Sequence, residues 1–187
     1  QYRFYQRFSF EDGISLQENL GNKLRELEQI KTSTSIVNVD AHNIKTYSRK
    51  EMKKSYIPQD KNYGKAIRTF YTQDQISSKP LIAIATYSGT SVKQITEKLT
   101  RHTKKILQKD FLMVADKEWY CGQLIDELHK KLGVSVLVPV KRSKKRLREF
   151  DTVPLEKYNE TLFGNIAAVY TTMKNFTGRL LLLLKKR

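Results

Sequence analysis

The sequence predicts an α/β fold built on a mixed five-stranded sheet with flanking helices. Three observations carry that prediction. The run Phe111-Leu112-Met113-Val114-Ala115-Asp116 is uninterruptedly apolar until it ends on a carboxylate, the pattern of a strand covered on both faces. A second, β-branched stretch, Ile36-Val37-Asn38-Val39-Asp40-Ala41-His42, also brings an aspartate to the point where apolar gives way to polar. Segments of helical period then alternate with segments of strand character, the pattern that produces parallel pairs.

Taken in order, Leu16, Leu20, Leu24 and Leu27 recur at helical spacing and predict an amphipathic helix over 14–31. The polar Thr32-Ser33-Thr34-Ser35 ends it, and the first strand follows at 35–40. Residues 45–62 are polar, basic and broken at Pro58, and read as a loop. Strands over 65–72 and 81–87, joined by a short polar turn with Pro80 at its boundary, form an antiparallel hairpin.

Ser91-Val92-Lys93-Gln94 has the form of a capping box, opening a helix through Ile95, Leu99 and Ile106. After the Phe111 strand, Leu124, Ile125, Leu128 and Leu132 share one helix face and Gly133 supplies the stop. A strand over 134–140 completes the order β-β-β-α-β-α-β. Neither it nor the Phe111 strand alternates, so both are predicted central and parallel, joined by a right-handed crossover. Asn165–Met173 and Arg179–Leu184 read as two further strands around the turn Asn175-Phe176-Thr177-Gly178. The chain thus divides into an N-terminal helical segment (1–34), an α/β core (35–148) and a β-rich element (149–187).

The 187 residues are enough to bury a real core. Cys121 is the sole cysteine and suits a reducing compartment, as a small apolar residue near a helix start. No stretch approaches the roughly 18–20 apolar residues of a membrane span, which excludes membrane functions of that kind. The N-terminus lacks the pattern of a signal peptide. A start at Gln1 and an end just after an apolar run suggest a piece of a longer protein.

Thirty-five basic against 19 acidic residues give a formal charge of +16, which points to a polyanionic partner. The cations are clustered. Lys45, Arg49 and Lys50 follow the first aspartate, and Lys141, Arg142, Lys144, Lys145 and Arg146 follow the fifth strand. Because these clusters flank the strands bearing the aspartates, they are the candidate nucleic-acid-binding residues, although a basic run is also what a solvated loop looks like.

Ligand sites in open sheets gather at strand ends where connectivity changes, which is where Asp116 stands. If the two aspartate strands are neighbours, Asp40 reaches the same point, and two carboxylates held together are stable mainly with a cation between them. Oxygen ligands and a phosphate substrate favour Mg²⁺, with Mn²⁺ as a substitute. Each aspartate also admits a local role, as a turn former or as the N-cap of the following helix. His42 lies two residues past Asp40 and shares its face if the strand continues, which suits an auxiliary role. Trp119, three residues past Asp116, is read as exposed beside the site and free to stack on a base. No Gly-rich phosphate loop, serine nucleophile motif or paired CxxC is present, so nucleotide hydrolases, esterases and zinc modules have no support.

Val37-Asn38-Val39-Asp40-Ala41-His42-Asn43-Ile44, the Pro80 to Ser91 strand and turn, and Val114-Ala115-Asp116-Lys117-Glu118-Trp119-Tyr120 with Leu124-Ile125-Asp126-Glu127-Leu128 resemble the DDE transposases of bacterial insertion sequences. The likeness covers about residues 36–145 and is more specific around Asp116 than around Asp40. It implies an RNase H-like catalytic core, with Asp40 and Asp116 as catalytic and metal-binding acids. Val138-Pro139-Val140-Lys141 matches the family's strand ending in a cation. The third acid, a glutamate on a later helix, has no match before Arg187, and Glu149, Glu156 and Glu160 lack helical context. Residues 165–184 then look like the start of the β-rich insertion that some members carry.

The resemblance implies metal-dependent cleavage and strand transfer of DNA, with transposon ends and target as partners, a homodimer on DNA as a compatible assembly, and a cytoplasmic, nucleoid-associated bacterial setting. The fragment alone is expected to be inactive. Two alternatives stay open: an RNase H-like nuclease without strand transfer, and a non-catalytic basic nucleic-acid-binding domain.

Overall fold

The computed structural model describes residues 9–28, 35–47, 51, 54–57, 61–139, 159–161, 164–171 and 180–185. Helix α1 spans Phe10–Glu28 and leads to strands β1 (Ser35–Lys45), β2 (Lys54–Ile57), β3 (Asn62–Asp74) and β4 (Pro80–Tyr87). Helix α2 (Val92–Leu107), β5 (Phe111–Ala115), a 3₁₀ turn (Lys117–Trp119), α3 (Gly122–Leu132) and β6 (Ser135–Leu137) follow.

These strands form one mixed six-stranded sheet in the order β2-β3-β1-β5-β6, with β4 also paired to β3. The β1, β3 and β4 neighbours are antiparallel, whereas β1, β5 and β6 run parallel. The expected α/β fold, a mixed sheet with flanking helices, is therefore present, enlarged by one strand. That strand, β2, lies inside the segment read as a loop. Its four residues hold their place by antiparallel pairing with the start of β3, with Tyr56 opposite Tyr63 and the rings edge-on at 5.5 Å. A pair this short leaves little periodicity to read.

The core lies on one face of the sheet. Val37 and Val39 of β1, Phe70 of β3, Ile82 and Ile84 of β4 and Met113 of β5 meet Leu99 and Ile106 of α2 and Leu124 and Leu128 of α3. Burial alternates along β5: Phe111, Met113 and Ala115 are buried and Leu112 and Val114 only half so. The expectation of a strand covered on both faces is thus not met by the described residues. The β6 strand departs further, being three residues long, at the sheet edge, with Leu137 42% exposed. Both strands are parallel to their neighbours as expected, and among the described residues only β5 is internal.

Helix α2 opens on the expected capping box of Ser91 and Gln94, with the Gln94 side-chain oxygen accepting from the backbone N–H of Ser91 at 2.9 Å. Helix α3 stops at Gly133, whose φ of 66° lies in the left-handed region that glycine adopts without strain. Helix α1 packs by a different face from the one its leucines suggested. Ile14 is buried, while Leu16, Leu20 and Leu24 are about half exposed. The inward face carries Gln17, whose amide exchanges two hydrogen bonds with the backbone of Ala83 in β4, at 2.7 and 3.1 Å. It also carries Gly21, where a Cβ would stand 2.9 Å from Ile106 of α2, so the two helices need hydrogen there.

Beyond the core, β7 (Asn159–Thr161), β8 (Gly164–Thr171) and β9 (Leu180–Lys185) form an antiparallel three-stranded sheet. β8 and β9 correspond to the two expected strands, with Thr171 opposite Leu180, and the turn between them lies outside the described residues. No described helix is long and apolar enough to cross a membrane.

Candidate metal centre

The pairing of β1 with β5 builds the site. Ile36 pairs with Leu112, Val37 with Met113, Asn38 with Val114 and Val39 with Ala115, all in parallel register. Asp40 is the next residue of β1, and Asp116 is the first residue past β5, its backbone still extended. In a parallel pair, residues in register share a face, and neighbouring strands lie about 4.8 Å apart. The register therefore leads both acids to the same rim, where β5 ends and β1 continues, with β1 flanked by an antiparallel neighbour on one edge and a parallel one on the other. Such a change of connectivity is where an open sheet has room for a ligand.

Both side chains are exposed and both are held. Asp40 Oδ1 accepts from the backbone N–H of Ala41 at 2.8 Å, and Oδ2 accepts from the Tyr71 hydroxyl at 3.1 Å. Tyr71 stands opposite Asp40 in the β1–β3 register, which is why its ring reaches the carboxylate. Burial, the hydrogen bond to Asp40 and that carboxylate's charge together raise the Tyr71 phenol above its usual pKa, keeping it a proton donor. Asp116 Oδ1 accepts from the backbone N–H of Glu118 at 2.7 Å and so caps the 3₁₀ turn. The local role that the sequence allowed for Asp116 is thus realised, and it occupies only one oxygen.

The structure treats the other predicted site residues unevenly. Because β1 runs to Lys45 rather than ending near residue 40, Asp40 is mid-strand and His42 does lie on its face, exposed. Lys45 closes the strand, its ammonium 5.2 Å from the Tyr47 ring centroid. Trp119 is a correction. It is 1% exposed, part of the core, and donates its indole N–H to Thr96 Oγ1 of α2 at 3.0 Å. Its large apolar surface is better satisfied under α2 than at a wet rim, so no stacking role remains for it. Arg49, Lys50, Lys141, Arg142, Lys144, Lys145 and Arg146 lie outside the described residues.

Two residues at the site were missed. Tyr71 is invisible without the β1–β3 register. Arg68 of β3 shares its Nη2 between both Glu118 oxygens, each at 2.7 Å, and donates from Nη1 to the Thr90 carbonyl at 2.9 Å. The signal available was an arginine two residues from both Ala66 and Phe70, on the face of the strand that those two bury.

The donor set suits a hard divalent cation. Mg²⁺ is commonly held by one or two carboxylates and keeps its waters, so two exposed aspartates meet its minimum. Among the described residues no group of three His, Cys, Asp or Glu side chains converges.

No family model and no curated protein matches the chain. Among solved structures, a piggyBac transposase synaptic complex with hairpin DNA is similar over 74% of this chain and 28% of that one, at 12% identity and a TM-score of 0.48. A Mos1 transposase paired-end complex with the left transposon end is similar over 68% of this chain and 42% of that one, at 18% identity and a TM-score of 0.39. A Mos1 mariner paired-end complex with Mn is similar over 70% of this chain and 43% of that one, at 19% identity and a TM-score of 0.38. The chain thus spans less than half the length of these proteins.

Proposed function

We propose that the chain is the larger part of a DDE-type transposase catalytic domain that cleaves and joins DNA strands with divalent metal. The observation that carries this reading is the register Val39–Ala115, which brings Asp40 and Asp116 to neighbouring points of one rim. The net charge of +16 supports a nucleic-acid partner, and the sequence resemblance supplies the reaction class.

In this reading Asp40 and Asp116 hold Mg²⁺ or Mn²⁺. When bound, the ions neutralise charge developing at the scissile phosphorus. The chain's own residues do the rest. Tyr71 and the Ala41 amide fix Asp40, the Glu118 amide fixes Asp116, and His42 and Lys45 continue along the same strand toward the substrate backbone. The basic segments Lys45–Lys50 and Lys141–Arg146 neutralise DNA phosphates. Water attack frees a 3′-hydroxyl, which then attacks target DNA. A third acid is supplied from outside the described residues.

One observation favours a second reading, a non-catalytic basic binding module: both aspartates already have local hydrogen-bonding roles. A calorimetric titration with Mn²⁺ in the presence of duplex DNA separates the two. The transposase reading predicts a Mn²⁺ site weakened at least tenfold by Asp40→Asn and by Asp116→Asn, with DNA affinity retained at low salt. Equal Mn²⁺ affinity in all three proteins leaves the binding module. Joining of a 3′-hydroxyl oligonucleotide to plasmid, against nicking alone, separates transposase from nuclease wherever turnover is seen.

A further inference from the structure

We propose that Arg68 and Glu118 form a positioning pair that sets the geometry of Asp116. This rests on reading Asp116 as a metal-binding acid. Arg68 lies on the core face of β3 between Ala66 and Phe70, both 0% exposed, where an apolar side chain would be the ordinary occupant. Its side chain is 16% exposed, and its guanidinium lies 4.9 Å from the Phe70 ring centroid. A charge in such a place is costly unless it is paired with good geometry. Here both Glu118 oxygens accept from one nitrogen, Nη2, at 2.7 Å, and Nη1 donates to the Thr90 carbonyl at 2.9 Å. Arg68 Nε is buried with no partner, so the guanidinium is oriented for Glu118 and Thr90 rather than for its own full satisfaction.

Glu118 is gripped from two directions. Arg68 holds its carboxylate, and its backbone N–H donates to Asp116 Oδ1 at 2.7 Å. The next residue, Trp119, is tied to α2 through Thr96 at 3.0 Å. The three-residue turn after β5 is therefore pinned to β3, to the loop before α2 and to α2 itself. The consequence is a fixed Asp116 rotamer in which Oδ1 serves the turn. Oδ2 has no hydrogen-bond partner among the described residues and is left for a cation. Residues that orient a metal-binding side chain without touching the metal commonly change its affinity by 10- to 100-fold.

The test is Mn²⁺ affinity of the full chain, read by electron paramagnetic resonance, with thermal melting of the same samples. Arg68→Met and Glu118→Ala should each weaken Mn²⁺ about 10- to 100-fold in protein that is still folded. Adding Asp116→Asn to either should cost less than it does in wild type, because the partners act through one carboxylate. The exchanged pair, Arg68→Glu with Glu118→Arg, should recover part of the loss. Glu118 is half exposed, so Glu118→Ala keeps the test open if Arg68→Met does not fold. If melting temperature falls while Mn²⁺ affinity is unchanged, the pair is structural only and the proposal is overturned. If Asp116→Asn itself leaves Mn²⁺ affinity at the wild-type level, the metal reading fails and takes this proposal with it.

Discussion

Trp119 takes its place from the 3₁₀ turn that carries it rather than from its nearness to Asp116. Three residues past an exposed aspartate, it was expected at the rim, yet the 3₁₀ turn folds it back beneath α2 and gives its indole a partner in Thr96. Trp119→Phe should lower stability by about 1–3 kcal/mol through the lost hydrogen bond and residual void, measured by denaturant unfolding. That Asp116 follows directly on β5 was legible because an acid closing an apolar run is a strong local pattern, whereas β1 runs on past Asp40 to Lys45. The contacts of Tyr71 and Arg68 were not legible, since they exist only once strands are in register.

A second residue-level contact gives a pH dependence. Burial works against ionisation of Glu18, but hydrogen bonds from His102 and Lys105 and their charge outweigh it and hold the carboxyl below its usual range. His102 Nδ1 lies 2.5 Å from Glu18 Oε1 and joins α1 to α2. A carboxyl depressed in the folded state stabilises fully above its unfolded pKa of about 4.5. That stabilisation drains as pH falls through the folded value. Thermal melts from pH 7 to 3 should therefore fall more steeply for wild type than for Glu18→Gln; parallel profiles would show that the contact contributes nothing.

At the scale of elements, α1 separates pattern from packing. Its leucine stripe announced a helix, and a helix forms, but Gln17 and Gly21 mark the face that docks because one completes the β4 backbone and the other admits Ile106. Leu20→Gln, at a position 55% exposed, should change stability by no more than about 0.5 kcal/mol. Leu128→Ala on α3, at 1% exposure, should cost about 2–5 kcal/mol. Similar losses at both positions would mean that the α1 stripe is covered. The hairpin of β3 and β4 and the parallel crossover were legible from turn lengths and periodicity. The β2 strand was not, because four residues paired with a neighbour carry no period of their own, and β6 was over-read because an apolar run does not say how many faces are covered.

For the whole molecule, the excess of positive charge predicts binding to DNA that is dominated by released counterions. The logarithm of affinity should fall linearly with the logarithm of salt concentration. Replacing Lys141, Arg142, Lys144, Lys145 and Arg146 by Gln should reduce that slope by up to about four or five. A slope unchanged by the substitution would place the DNA elsewhere on the surface.

Both the enzymatic reading and the positioning role of Arg68 depend on the convergence of β1 and β5 at their aspartates. Anomalous X-ray density from crystals grown with Mn²⁺ tests it most directly. The account predicts a peak between the Asp40 and Asp116 carboxylates that disappears in Asp116→Asn. Strong Mn²⁺ density elsewhere, with none at this pair, would contradict it.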